Sequence, residues 1–148
     1  MSEFKKERKM QYVAEMSESD KITFLQALVR LAKADGNFDE DEKNFVHEIS
    51  LAYGVPASCL DEVLAVASDD ELVEKVKSIK DRYQAMCLIK EMCMLASSDG
   101  DLSDEEVLLI GRVGEAMGLE LEKIQQISEW VIDRIIWIEQ GKIIFEKF

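Results

Sequence analysis

The chain has 148 residues, a formal charge of −13 and only one proline. That length fits one compact domain able to bury a core without disulfides or metals. The charge excludes a nucleic-acid binder, which needs clustered Lys and Arg against phosphate. Cys59, Cys87 and Cys93 form an odd set with no CxxC, so neither a disulfide framework nor a zinc site is expected. Reduced thiols and a cytoplasmic setting are expected instead.

Taken in chain order, residues 3–16 read as a weak helix with a basic stretch, FKKERK, and no apolar run of a secretory signal. FKKERK is expected to be a solvated helix face. Phe24, Leu28, Leu31 and Ala32 fall at i, i+4, i+7 and i+8, the stripe of an amphipathic helix. An acidic stretch follows, then a second stripe at Phe45, Ile49, Ala52 and Tyr53. Gly54 is expected to end that helix in a left-handed cap, with Pro56 opening the next turn. Ser68-Asp-Asp-Glu71 is a capping box for a short helix to about Ser78, and Asp81 starts another. From Leu88 the first pattern returns at an offset of 64: Leu88, Met92, Leu95, Ala96, an acidic stretch, then Leu109, Val113, Ala116, Met117 and Gly118. A last helix from about Glu120 carries Ile124, Ile127, Val131 and Ile138 on one face. The tail KIIFEKF after Gly141 is expected to be extended and to fold back on that helix. No stretch is long and apolar enough for a membrane span. The expectation is all-α, one domain over residues 1–148, with seven to eight helices. Residues 24–63 and 88–127 form an internal repeat of helix, acidic corner and helix.

The two corners read LAKADGNFDEDE at 31–42 and LASSDGDLSDEE at 95–106. Each packs five acids into eight residues: Asp35, Asp39, Glu40, Asp41, Glu42, and Asp99, Asp101, Asp104, Glu105, Glu106. Helix-end chemistry explains much of this. Gly36 and Gly100 suit a positive φ. Asp39 and Ser103 are N-caps, with Glu42 and Glu106 at the third helical position. Asp35 and Asp99 have no such reason, since a negative charge is disfavoured at a helix C-terminus. Five carboxylates so close together also repel, and a hard cation with oxygen preference relieves that. An EF-hand is excluded. With Glu42 as its twelfth position, the first and third would be Leu31 and Lys33. The candidate metal ligands are therefore Asp35, Asp39, Glu42, Asp99 and Glu106, holding calcium or magnesium weakly with water in the shell.

The doubled ADGxΦxxxE-type corner in a small acidic helical chain resembles the TerB-like family, named for a tellurite-resistance protein, over roughly residues 20–140. The resemblance implies a single helical domain, a divalent-metal site made by the motif's acids, and metal-linked interaction in tellurite or stress response rather than a reaction. Asp35, Asp39 and Glu42 match the motif's acids in the first copy, and Asp99 and Glu106 in the second. Ser103 stands where an acid is expected.

No catalytic constellation emerges. His47 is the single histidine, with no nucleophile placed beside it. Met86, Cys87, Met92, Cys93 and Met94 are expected to fill core. WVIDRIIWI is apolar nearly all round, with Trp130 and Trp137 on one face. Such a helix is central to the core or covered from outside. Burial in the core is the first expectation. A protein partner, a homodimer mate or a peripheral membrane complex is the alternative, with Trp130 and Trp137 as its contact. The competing functional reading is thus a metal-free adaptor whose acidic loops only cap helices.

Overall fold

The structure is a computed structural model, and it describes residues 15–34, 39–97 and 102–146. Those residues form seven α-helices, one 3-10 turn and no strand. The helices are α1 (Glu18–Ala32), α2 (Glu40–Ala52), α3 (Leu60–Leu64), α4 (Asp69–Val76), α5 (Arg82–Ala96), α6 (Asp104–Ala116) and α7 (Leu121–Glu146). The 3-10 turn Ala57–Cys59 leads into α3. The expected weak helix over 3–16 lies outside the described residues apart from its last two.

Caps set the helix starts. Ser17, Asp39, Ser68, Asp81 and Ser103 each have extended backbone and accept a hydrogen bond from the amide three residues on. At α4 the reciprocal bond is shifted: the Glu71 carboxylate accepts from Ala67 N at 3.1 Å rather than from Ser68. The ends of α2 and α6 are Schellman motifs. Gly54 and Gly118 have φ of 75° and 87°. Val55 N donates to Ser50 O and Leu119 N to Gly114 O, both at 3.0 Å. The bounds of α1 and α5, and those of α2 and α6, differ by the same offset of 64 as the sequence.

α1 is the hub. It packs against α2, α3, α4, α5 and α6, and Phe24, Leu25, Leu28, Val29 and Leu31 are all at most 1% exposed. A helix apolar on every side must be enclosed. α5 is its counterpart, with Leu88, Ile89, Met92 and Cys93 fully buried. The sulfur-bearing residues Cys87, Met92 and Cys93 are thus core fillers, as their spacing implies. Burial pushes the Cys93 thiol up to about 11, and the Cys87 thiol is also raised.

Polar contacts tie the outer helices to this pair. Gln26 Nε2 donates to Glu62 O and Lys33 Nζ to Leu64 O, at 3.1 and 3.2 Å, pinning α3 to α1. Arg30 bonds Asp69 at 2.8 Å, and Arg112 pairs with Asp70, so α4 is held from both α1 and α6. These pairs are partly exposed and each contributes about 0–1 kcal/mol.

The second copy is packed more tightly than the first. α6 lies against α4, α5 and α7, whereas α2 lies mainly against α1 and the 3-10 turn. Leu109 is 1% exposed, but Phe45, its mate at the offset of 64, is 42% exposed. The expected apolar stripe of α2 is therefore only partly used: Tyr53 is buried and Ile49 half-buried, but Phe45 and Ala52 are exposed, and the buried positions within the helix, Val46 and Ser50, lie off that stripe.

The last helix departs furthest from expectation. α7 runs unbroken through Gly141 to Glu146, so over the described residues 142–146 the tail is helical and does not fold back. Nor is α7 a core helix. Only Ile124 and Val131 are buried, while Ile138 is 39% exposed. The reason is length: at about 1.5 Å per residue, its 26 residues outrun the 15 of α5, its main support.

Gly114 is where α7 comes closest. A Cβ there would lie 2.8 Å from Ile124 Cγ1 and nearer still to Cδ1. Gly114→Ala should therefore cost about 1–3 kcal/mol in urea unfolding, as overpacking does. Gly111→Ala, where a Cβ meets nothing within 4 Å, should stabilise by up to about 1 kcal/mol through helix propensity. A second check is thiol reactivity. At pH 8 an aromatic disulfide reagent should label the half-buried Cys59 in the native protein. Cys87 and Cys93 should react only after denaturation, because the thiolate is the nucleophile and burial suppresses it.

Candidate functional site at the acidic corners

The first corner begins where α1 closes. Lys33 N and Ala34 N donate back to Val29 O and Leu31 O, at 3.0 and 3.1 Å. Asp35 and Gly36 lie outside the described residues. The chain re-enters at Asp39, the N-cap of α2, whose Oδ1 accepts from Glu42 N at 2.9 Å. Glu40, Asp41 and Glu42 fill the first turn, where the helix dipole favours negative charge. The cap occupies one oxygen of Asp39.

The second corner is a complete capping box. Glu106 N donates to Ser103 Oγ at 3.2 Å, and Ser103 N donates to Glu106 Oε1 at 2.9 Å. Glu106 is thus engaged as a cap, the role the S-x-x-E spacing gives it. Asp104 and Glu105 are exposed beside it. Asp99 and Gly100 lie outside the described residues. Of the five candidate ligands, the structure therefore places Asp39 and Glu42 at one corner and Glu106 at the other. Among the described residues no three His, Cys, Asp or Glu side chains converge as a metal cluster.

Beside the first corner lies a groove of about 550 Å³ between α1, α2 and α5. Leu28 and Val46 lie at its floor, and Phe45, Ile49 and Met94 also line it. Asp39, Asp41, Glu42 and Glu91 supply its acidic edge. Glu91 is also 3.5 Å from Lys90. The groove is apolar within and negative at the margin. Among the described residues α2 lacks the cover that α6 has: the mates of Phe45 and Ile49, Leu109 and Val113, are sealed at 1% and 0% exposure.

Sequence reasoning located the acids but missed the groove. Phe45, Met94 and Glu91 carried no signal, because Phe45 and Met94 sit in ordinary apolar runs and Glu91 in a core helix. His47 is exposed on α2. Trp130 and Trp137 are 58% and 74% exposed, remote from the acidic motif in sequence. A further ion pair, Arg82 to Glu120 at 2.7 Å, joins the starts of α5 and α7. The shared hydrogen bond raises the Arg82 guanidinium and lowers the Glu120 carboxyl.

No helix among the described residues is long and apolar enough to cross a membrane. No curated protein and no solved structure matches the chain. Residues 4–65 match the family model of tellurite resistance protein TerB. That segment contains α1, the first acidic corner, α2 and α3, so this part of the chain is similar to the TerB family.

Proposed function

We propose that this chain is a non-enzymatic, cytoplasmic interaction module of the tellurite or general stress response. Its working site is the first acidic corner with the groove beside it. The occupant is a basic amphipathic segment of a partner protein, whose apolar side lies on Phe45, Ile49 and Met94 while its Lys or Arg side chains meet Asp39, Asp41, Glu42 and Glu91. Helix-in-groove recognition needs that combination of apolar floor and charged rim. The single observation that carries this reading is the open groove with its acidic edge, where the other copy is closed. A net charge of −13 further favours basic partners through steering.

The same corner also binds a hard divalent cation, calcium or magnesium, weakly. What supports this is charge density: Asp35, Asp39 and Glu42 stand with Glu40 and Asp41 in eight residues, more carboxylate than one N-cap uses. The second corner, with Asp99 and Glu106, has Ser103 for an acid and spends Glu106 on its capping box. Its affinity should be lower. A metal-free adaptor is the second reading, favoured by the exposure of Trp130 and Trp137 on α7. On that reading the corners only cap helices.

Three outcomes separate these readings. Calorimetric titration with calcium, magnesium or manganese should give millimolar-range binding and a matching rise in melting temperature. Glu42→Gln should reduce both, and flat titrations at millimolar metal would leave the adaptor reading standing. Ser103→Ala should lower stability by about 1 kcal/mol through its lost N-cap, with the first-corner affinity unchanged. A helical peptide of Leu and Lys at i, i+3, i+4 spacing should bind in fluorescence anisotropy, and its Leu/Glu counterpart should not. Phe45→Ala, which leaves the charge untouched, should weaken the peptide by roughly tenfold or more; affinity indifferent to Phe45→Ala would reduce the binding to unspecific charge attraction.

A further inference from the structure

Between the first halves of α5 and α7 lies a second hollow, of about 490 Å³, within the size range of small-ligand sites. Tyr83, Met86 and Lys90 of α5 line it on one side, and Lys123, Ile127 and Trp130 of α7 on the other. It shares no residue with the first-corner groove, to which α5 contributes Glu91, Met94 and Leu95 instead.

The charge of this hollow is the reverse of the chain's. The protein has 31 acidic and 18 basic residues, yet the described residues lining the hollow include two lysines and no carboxylate. A smaller hollow that adjoins it at Trp130 repeats the pattern, with Arg134 beside Met94, Ile135 and Ile138 and again no acid among its described residues. The acids nearest by have other places. Glu91 is 3.5 Å from Lys90 but lines the first-corner groove. Glu120 and Glu122 line a neighbouring hollow that shares Lys123, and Glu120 is held by Arg82 at 2.7 Å.

The two lysines are placed rather than extended into water. The Lys90 side chain is only 29% exposed. Lys123 Nζ donates to Gln126 Oε1 at 2.8 Å, and Gln126 is itself part of the wall. That amide is neutral, so it orients the ammonium without cancelling its charge. Tyr83 and Trp130 are 54% and 58% exposed, so each helix brings one open aromatic ring to the same hollow. Flat apolar walls with a few convergent charges of one sign are the chemistry that selects an amphipathic ligand of the opposite sign.

We propose that this hollow binds a small organic anion with an aromatic body. The rings of the ligand lie beside Tyr83 and Trp130 and against Met86 and Ile127, and its carboxylate, sulfonate or phosphate group meets Lys90 and Lys123. An inorganic anion has nothing to set against the apolar walls, and an uncharged aromatic gains nothing from the lysines. The inference does not rest on the reading of the first corner, whose groove has other residues and the opposite charge.

The probe is anilinonaphthalenesulfonate, an aromatic body with one sulfonate, titrated into the full chain and read by its fluorescence. It should bind at one saturable site per chain, with an affinity that falls as salt is added. Lys90→Gln combined with Lys123→Gln should weaken it by roughly tenfold or more, the scale of lost charge-assisted contacts. Lys90→Arg combined with Lys123→Arg keeps both charges and should stay within about threefold of the parent chain. Trp130→Ala should weaken the probe by roughly tenfold as well, whereas Trp137→Ala and Phe45→Ala should leave it unchanged. The double glutamine variant should still melt in one cooperative transition, since both lysines are partly exposed. Phenylnaphthylamine, the same rings without the sulfonate, should bind at least about tenfold more weakly. Equal affinity for phenylnaphthylamine, or full affinity in the double glutamine variant, would overturn the proposal by reducing the hollow to an unspecific apolar patch. So would binding that is lost with Trp137→Ala and kept with Trp130→Ala, which would place the probe on the far half of α7. A flat titration up to millimolar probe would overturn it too.

Discussion

Burial of α1 on all sides is the constraint on which the rest of this molecule depends. Its buried Ile22, Thr23, Phe24, Gln26, Ala27, Leu28 and Val29 point all round the helix axis, so a single partner helix cannot cover them. α2, α3, α4, α5 and α6 are therefore all drawn onto it. Phe24 also meets the ring of Tyr53 from the end of α2, with centroids 6.1 Å apart and the planes tilted by 51°, a favourable aromatic geometry. The acidic corners are consequences of this arrangement. Each follows a buried helix, and each starts the next helix with a side-chain cap.

The two corners then diverge through what lies outside them. α6 is closed over by α4 and α7, and its Gly114 admits Ile124 at very short range. α2 has no equivalent cover among the described residues, and Ser50 stands at the position matching Gly114, its hydroxyl donating to Val46 O at 2.7 Å. Among the described residues Leu109 and Val113 are thus sealed, whereas Phe45 is open beside carboxylates.

Charge and apolar surface are segregated in a way that bears on function. The carboxylates cluster at helix N-termini, where the dipole tolerates them, and so cost the fold little. The exposed apolar residues cluster on α7, the one helix longer than the body it rests on. Burial raises both core thiols, and His47 is exposed.

The sequence by itself determined the helices, their starts and their ends. Caps such as Asp39, Ser68, Asp81 and Ser103, and the left-handed glycines Gly54 and Gly118, act within a few residues of chain, so their chemistry is readable locally. It also fixed the helix bounds of the two copies to one offset, and marked Asp39, Glu42 and Glu106 as corner residues. Asp35 and Asp99 lie outside the described residues. What tertiary structure alone decided is which apolar stripe is buried. Phe45 and Leu109 have the same pattern and the same register, yet one is open and the other sealed, because exposure depends on helices distant in sequence. Gly141 looked like a stop, but a single glycine costs only about 1 kcal/mol inside a helix, and the apolar residues on either side carry α7 through it. Periodicity reports that a face is apolar; only the packing of the other helices decides whether that face meets the core or remains for a partner.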